Sequence, residues 1–209
     1  MTEANGTVFF AARDLQAVEL WMSNGMESGT VVVKDTSTNT GVLDPLQPAN
    51  VNGSLFFVGG ALSAHSLYVE SNGAATEVAS DLRPHYLTNV NGTLFFAGGV
   101  LVGTGLWRSN GAPLGTSLVS NSFIIEGPLT NVNGTVFFGD DADKLWRSDG
   151  TSAGTAMVED LNPSGAQTTP HNLTNGNGTL FFTPNNQTSG QELWKTNGTA
   201  TGTSLVKDI

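Results

Sequence analysis

The string Asn-Gly-(Thr/Ser)-(Val/Leu)-Phe-Phe occurs five times in this 209-residue chain, at Asn5, Asn52, Asn91, Asn133 and Asn177, spaced 39 to 47 residues apart. A period in that range means that one supersecondary unit is used again and again, and that each unit buries its apolar faces against its neighbours. Two further signals recur in phase with the first. Leu followed by an aromatic stands at Leu20-Trp21, Leu67-Tyr68, Leu106-Trp107, Leu145-Trp146 and Leu193-Trp194. A second (Asn/Asp)-Gly follows at Asn24, Asn72, Asn110, Asp149 and Asn197, and then Gly-Thr with an apolar stretch closes most units. Ten of the 11 Phe and all four Trp fall in these slots, so the aromatic residues mark structure before they mark any site.

Each unit reads as four short strands. Asn-Gly is the preferred pair for a tight type I′ hairpin turn, joining a first strand to a second that carries Phe-Phe. Adjacent large apolar residues point to opposite faces of a strand, so the second strand must be covered on both sides. The third strand carries Leu-Trp by the same logic. The fourth is more polar and suits a sheet edge. No sustained 3.6-residue period is present, which predicts almost no helix. Repeated four-stranded antiparallel meanders of this length predict an all-β fold, a five-bladed β-propeller, as one domain over residues 1–209. The units run over about 1–40, 41–83, 84–124, 125–165 and 166–209. A first strand near Thr2 to Ala4 is expected to be short and prone to fray. The termini fall at a repeat boundary, which suggests a ring excised from a longer array or built deliberately; five units could also belong to a larger ring.

Composition narrows the function classes. Eight Lys and Arg against 18 Asp and Glu give a net charge of −10, which repels phosphate backbones and anionic lipid, so neither nucleic acid nor membrane insertion is expected. With no Cys, disulfides, thiolate nucleophiles and thiolate metal sites are excluded. The three histidines are scattered, and no phosphate loop or nucleophile elbow is present, so no cofactor is implied.

The fifth unit contains Gln191-Glu192-Leu193-Trp194-Lys195-Thr196-Asn197-Gly198-Thr199, followed by Gly202-Thr203-Ser204-Leu205-Val206-Lys207-Asp208-Ile209. This resembles the ELWxxDGT repeat of large bacterial proteins. The resemblance extends to all five units and is weakest in the second, where Ser66-Leu67-Tyr68 replaces Glu-Leu-Trp. It implies tandem architecture, a bacterial source and a secreted or cell-surface setting, and it implies no reaction.

For each candidate site residue a structural role competes with a functional one. His85 and His171 occupy equivalent slots, each six residues before an Asn-Gly and just after a proline. With Tyr86 and Asn172 they are the candidate ligand-binding residues, in connectors entering two blades. The slot of Trp21, Tyr68, Trp107, Trp146 and Trp194 could offer indole faces to a pyranose ring, but alternation with Leu favours burial between blades. Asp140, Asp141 and Asp143 break the repeat and are a weak candidate for a Ca²⁺ loop; the ligand order of an EF-hand is missing, and no metal site is expected. Most other acids keep to the repeat: Asp35, Asp81, Asp160 and Asp208 share one slot, Glu19 and Glu192 another. A glycosidase needs two carboxyl groups converging at a site that breaks the repeat. The Asn-Gly-(Thr/Ser) strings match glycosylation sequons and are read as turns. The chain is therefore expected to be a monomeric, non-catalytic propeller for binding or scaffolding. Its partners would be glycans, in a lectin-like mode through repeated shallow sites, or another surface protein. The alternatives are a passive structural spacer and, behind it, a five-bladed glycosidase.

Overall fold

A computed structural model describes the chain except residues 14–17, 35–45, 61–64, 72–73, 100–103, 113, 162–169, 187–189 and 208–209. Asp35, Asp208 and the Asn72-Gly73 turn lie outside the described residues. The fold is a five-bladed β-propeller of antiparallel sheets. Among the described residues the only helical elements are two single 3₁₀ turns, Glu27–Gly29 and Ala200–Gly202.

The first blade holds strands Thr2–Ala4, Thr7–Arg13, Val18–Ser23 and Val31–Lys34. The second holds Leu46–Val51, Ser54–Gly59, Ser66–Ser71 and Ala74–Ala79, and the third His85–Val90, Thr93–Ala97, Leu106–Ser109 and Thr116–Ser120. The fourth is built from Ile125–Val132, Thr135–Asp140, Lys144–Ser148 and Ala156–Asp160. The fifth takes Pro170–Gly176, Thr179–Asn186, Leu193–Thr196 and Ser204–Lys207, with Gly190–Gln191 pairing as a short extra strand on Thr179–Asn186. In every blade the strands lie side by side in chain order. By contacts the chain forms two compact units, residues 1–103 with 107–117, and residues 104–106 with 118–209.

All five Asn-Gly pairs adopt the left-handed conformation at both residues, from Asn5 (φ 51°) and Gly6 (φ 75°) to Asn177 (φ 51°) and Gly178 (φ 83°). That is the requirement of a type I′ turn, and Asn and Gly are the residues that meet it with least strain.

The two-faced second strand also behaves as alternation demands. In the first unit, Phe9 and Leu20 of blade one pack on Leu55 and Phe57 of blade two, with Tyr68 against the cluster. The opposite face of blade two sends Phe56 and Leu67 onto Leu94 and Phe96 of blade three, with Trp107 alongside. In the second unit Phe137 and Leu145 of blade four meet Leu180 and Phe182 of blade five, with Trp194 alongside. In these three contacts the first Phe of a pair, with the Leu of Leu-Trp, faces the following blade; the second Phe, with the aromatic of that dipeptide, faces the preceding one. Phe56, Phe57, Phe96, Phe138 and Phe182 are fully buried, each contributing about 1.5–3 kcal/mol by leaving water. The eleventh phenylalanine, Phe123, is buried in the connector before blade four, its ring 4.9 Å from both Phe138 and Trp146.

Asparagine side chains tie the first strands of neighbouring blades together. Asn50 Nδ2 donates to the Glu3 carbonyl at 2.8 Å, Asn89 Nδ2 to that of Asn50 at 2.9 Å, and Asn175 Nδ2 to that of Asn131 at 3.0 Å. The Oδ1 atoms of Asn50, Asn89, Asn131 and Asn175 each accept the N–H of the turn glycine three residues on. In blade one Glu3 takes the place of Asn and accepts the Gly6 N–H at 2.6 Å. The three-residue strand Thr2–Ala4 is as short as the sequence suggests, and the Thr2 hydroxyl donates across to the Pro48 carbonyl at 3.0 Å.

Candidate functional site

The first strands of blades two to five share a departure from regular pairing near their beginnings. Leu46 and Ala49 pair with Val58 and Phe56, so the first strand spends one residue more than its partner. The same count holds for His85 to Thr88 in blade three and His171 to Thr174 in blade five, whereas Glu126 to Thr130 in blade four spends two more. These are β-bulges, and each carries a left-handed residue: Gln47 (φ 52°), Tyr86 (φ 57°), Gly127 (φ 90°) and Asn172 (φ 55°). For Gln and Tyr this conformation costs about 1 kcal/mol or more. Bulges of this kind re-aim side chains and are frequent beside functional sites.

In the first unit the bulges face each other. The Tyr86 backbone N–H donates to Oε1 of Gln47 on the preceding blade. His85 packs at 6.2 Å, centroid to centroid, from the Tyr86 ring. His85 is half-buried, and its Nε2 is shielded from solvent and finds no hydrogen-bond partner among the described residues. Burial first, and the neighbouring His65 second, hold its pKa below the ordinary histidine value. The His65 carbonyl accepts the Arg83 N–H at 2.9 Å, which fixes the connector leading to His85.

In the second unit the bulges of blades four and five leave open space. A cleft of about 450 Å³ is lined by Glu126, Gly127, Pro128, Pro170, His171, Asn172, Leu173 and Gln191. Pro128, Pro170 and Leu173 supply apolar walls. Glu126, His171, Asn172 and Gln191 are exposed polar groups. The Asn172 side chain is steadied by donating from Nδ2 to Thr183 Oγ1 at 2.9 Å. Of the four candidate ligand-binding residues, His171 and Asn172 thus line a cleft, while Tyr86 and His85 are taken up in packing and in the contact with Gln47. Sequence reasoning missed Gln47, Glu126, Pro128 and Gln191. Only a register comparison of the four bulges would have singled out Gln47 and Pro128.

A second, shallower depression of about 400 Å³ in the first unit runs between the outer strand of blade two (Thr76, Glu77, Val78, Ala79) and the loop holding Gly111 and Leu114. Leu114 is fully exposed there in a left-handed conformation.

The repeat aromatics are half-buried; Tyr68 stacks on Phe57 at 5.5 Å and Trp107 on Phe96 at 6.4 Å, centroid to centroid, while Trp194 lies tilted 6.5 Å from Phe182. Trp107 Nε1 donates to the Gly98 carbonyl at 2.9 Å and Trp146 Nε1 to Asp140 Oδ2 at 2.7 Å. The Trp21 Nε1 is buried without a partner among the described residues. Asp140 is itself buried, and its Oδ1 accepts the N–H groups of Ala142 and Lys144. Its two oxygens therefore shape the loop and anchor Trp146. Asp143 is buried in that loop with its N–H on the Asp140 carbonyl, while Asp141 is exposed. No group of three or more potential metal-ligating side chains comes together among the described residues. Glu19 and Glu192, the repeat-equivalent acids, are both buried.

The second (Asn/Asp)-Gly marks a hydrogen-bonded loop between third and fourth strands. In blade four Asp149 Oδ1 accepts from the Thr151 N–H and hydroxyl, and Ser148 Oγ pairs with Thr155 Oγ1 at 2.7 Å and accepts the Gly150 N–H. Equivalent contacts join Ser23 to Thr30, Ser109 to Thr116 and Thr196 to Thr203. A Cβ on Gly29, Gly115, Gly154 or Gly202 would overlap the Asn or Asp side chain five residues earlier.

No family model and no curated protein matches the sequence. Solved structures do match in fold. A prolyl endopeptidase superposes with a TM-score of 0.63 at 12% identity, over 95% of this chain and 32% of its own. TolB from Acinetobacter baumannii gives 0.54 at 12% identity, over all of this chain and 54% of its own. The β-propeller domain of the Trilobed protease from Pyrococcus furiosus gives 0.57 at 9% identity, over 91% and 63%. The chain spans about a third of the length of the peptidase and puromycin hydrolase structures it matches. At these identities the likeness establishes the propeller fold. No helix among the described residues is long and apolar enough to cross a membrane.

Proposed function

We propose that this chain is a non-catalytic propeller module that binds neutral glycans in a lectin-like way, as part of a secreted or cell-surface bacterial protein. The observation that carries the reading is the cleft between the first strands of blades four and five. It combines apolar walls from Pro128, Pro170 and Leu173 with exposed polar groups from Glu126, His171, Asn172 and Gln191. A pyranose has that same pairing of an apolar face and a polar rim, and a small site with few fixed polar groups suits recognition. Among the described residues lining the cleft, Glu126 is the one carboxylate. Glycoside hydrolysis calls for two carboxyl groups about 5–9.5 Å apart, so binding without turnover is favoured. The resemblance to the ELWxxDGT repeat supports the extracellular setting.

A glycan array with the purified chain, followed by titration calorimetry on the hits, tests this. Binding is expected at the level of single sugars or disaccharides, weakened at least tenfold by His171→Ala combined with Asn172→Ala, with no sugar hydrolysed. Silence across the array, or hits indifferent to that double substitution, overturns it. A structural spacer is the second reading, and one observation favours it: the repeated Asn, Gly, Ser, Thr and aromatic residues are consumed by turns, loop networks and blade packing. A spacer predicts silence on the array and no partner in pull-downs.

A further inference from the structure

The bulges of the two units end at the same distance from their Asn-Gly turns, blade four spending one residue more than the others, and they are filled differently. Counting back five residues from each Asn-Gly pair gives Gln47, Tyr86, Pro128 and Asn172 in blades two to five. In the first unit Gln47 places its side-chain carboxamide oxygen on the backbone N–H of Tyr86 in the next blade. The left-handed conformation of Tyr86 turns that N–H out of the ladder and towards its neighbour. Asn172 has the same conformation, φ 55° against 57°, on the blade following Pro128. In blade four neither Pro128 nor Gly127, which holds the left-handed conformation there, has a carboxamide to offer. Gly127, Pro128 and Asn172 instead line the 450 Å³ cleft.

We propose that the cleft is a socket for an amide carbonyl oxygen from outside, and that Gln47 fills the counterpart of that socket from within. The inference rests on the binding reading above and names its ligand class: sugars bearing an acetamido group. The three parts of that group match what surrounds the place Gln47 would occupy. The carbonyl oxygen accepts from the Asn172 backbone N–H, as Oε1 of Gln47 does from Tyr86. The acetamido N–H faces an acceptor in the Glu126 carboxylate, and the methyl group meets Pro128, Pro170 and Leu173. An anionic sugar would bring a second negative charge to Glu126 on a chain of net charge −10, so the neutral amide is the favoured acceptor. A plain hexose offers hydroxyl groups but neither the carbonyl nor the methyl, and leaves the socket incompletely paired.

The test compares methyl N-acetyl-β-glucosaminide with methyl β-glucoside by calorimetry and by amide-resolved NMR. The expected result is one site per chain for the acetamido sugar, a shifted Asn172 amide resonance, and affinity for the glucoside at least tenfold lower. Gly127→Gln, which puts a carboxamide on the left-handed residue of blade four as Gln47 does in blade two, should close the site from within, cutting affinity at least tenfold in a chain whose NMR spectrum remains dispersed. Gln47→Gly, which relaxes a left-handed residue and exposes the Tyr86 N–H, should raise the stoichiometry from one to two. This second variant keeps the test decisive where Gly127→Gln fails to fold. Equal affinity for the two sugars, an unmoved Asn172 amide or an unchanged stoichiometry in Gln47→Gly overturns the acetamido socket while leaving a sugar-binding cleft. Failure of both sugars and of every glycan on the array overturns the binding reading as well.

Discussion

Gly154 looks in the sequence like one more turn glycine, yet it has another reason to be glycine: the Asp149 carboxylate occupies the space a Cβ would need. Gly154→Ala should therefore destabilise the chain by about 1–3 kcal/mol through overpacking. Much of that loss should disappear in an Asp149→Gly background, where the obstruction is gone. Urea denaturation of the two single variants and the double variant measures this as a coupling energy, and strictly additive effects would refute it. His85 is the other residue whose surroundings set its behaviour. Its folded pKa lies below the unfolded value of 6.5, because burial and His65 both disfavour the imidazolium. The unfolded chain thus binds the proton more readily, and the contribution of neutral His85 is present above pH 6.5 and lost as pH falls through the folded value. The urea midpoint should drop between pH 7.5 and pH 5, and His85→Gln should flatten part of that slope. Neither effect was legible beforehand. The repeat identifies the glycine slot but not what fills the space beside it, and a lone histidine in a sequence carries no record of its burial.

Strand existence, order and facing were legible because each rests on local chemistry. Asn-Gly specifies the type I′ turn, Phe-Phe demands cover on both faces, and the period of two assigns the first Phe and the second to opposite neighbours. The asparagine ladder was not, since Asn50, Asn89, Asn131 and Asn175 look in sequence like ordinary turn-flanking polar residues. The side chains of Asn50, Asn89 and Asn175 bridge blades, and Asn175 holds both the Asn131 carbonyl and the Gly178 N–H. Asn175→Ala should cost about 1–2 kcal/mol for two lost hydrogen bonds at an exposed position. Asn175→Asp should cost less, since a carboxylate still accepts from Gly178 as Glu3 does from Gly6, while the donor to the next blade is lost. Thermal midpoints of the pair establish the order, and equal losses would assign the whole effect to one bond.

At the scale of the whole molecule, the low charge content and the abundance of Gly, Thr and Asn describe a chain that spends its polar residues on turns and loop networks. A net charge of −10 repels polyanions over the Debye length, and the ligand proposed above is accordingly neutral. The sequence by itself determined the number of blades, the four strands of each, the turns between them and the pairing of apolar faces. All of these follow from periodicities and turn preferences acting within a few residues, and five repetitions average away the exceptions. Only the tertiary structure decided which repeats differ where it matters. His85 and His171 occupy the same slot, yet one is shielded while the other stands at a cleft, and Gln47 reaches Tyr86 in one unit while Pro128 and Asn172 line that cleft in the other. The physical reason is that a site is made where side chains from successive blades meet across the gap between sheets. What stands opposite a residue there depends on the bulge and register of its neighbour, and no spacing within one repeat encodes that.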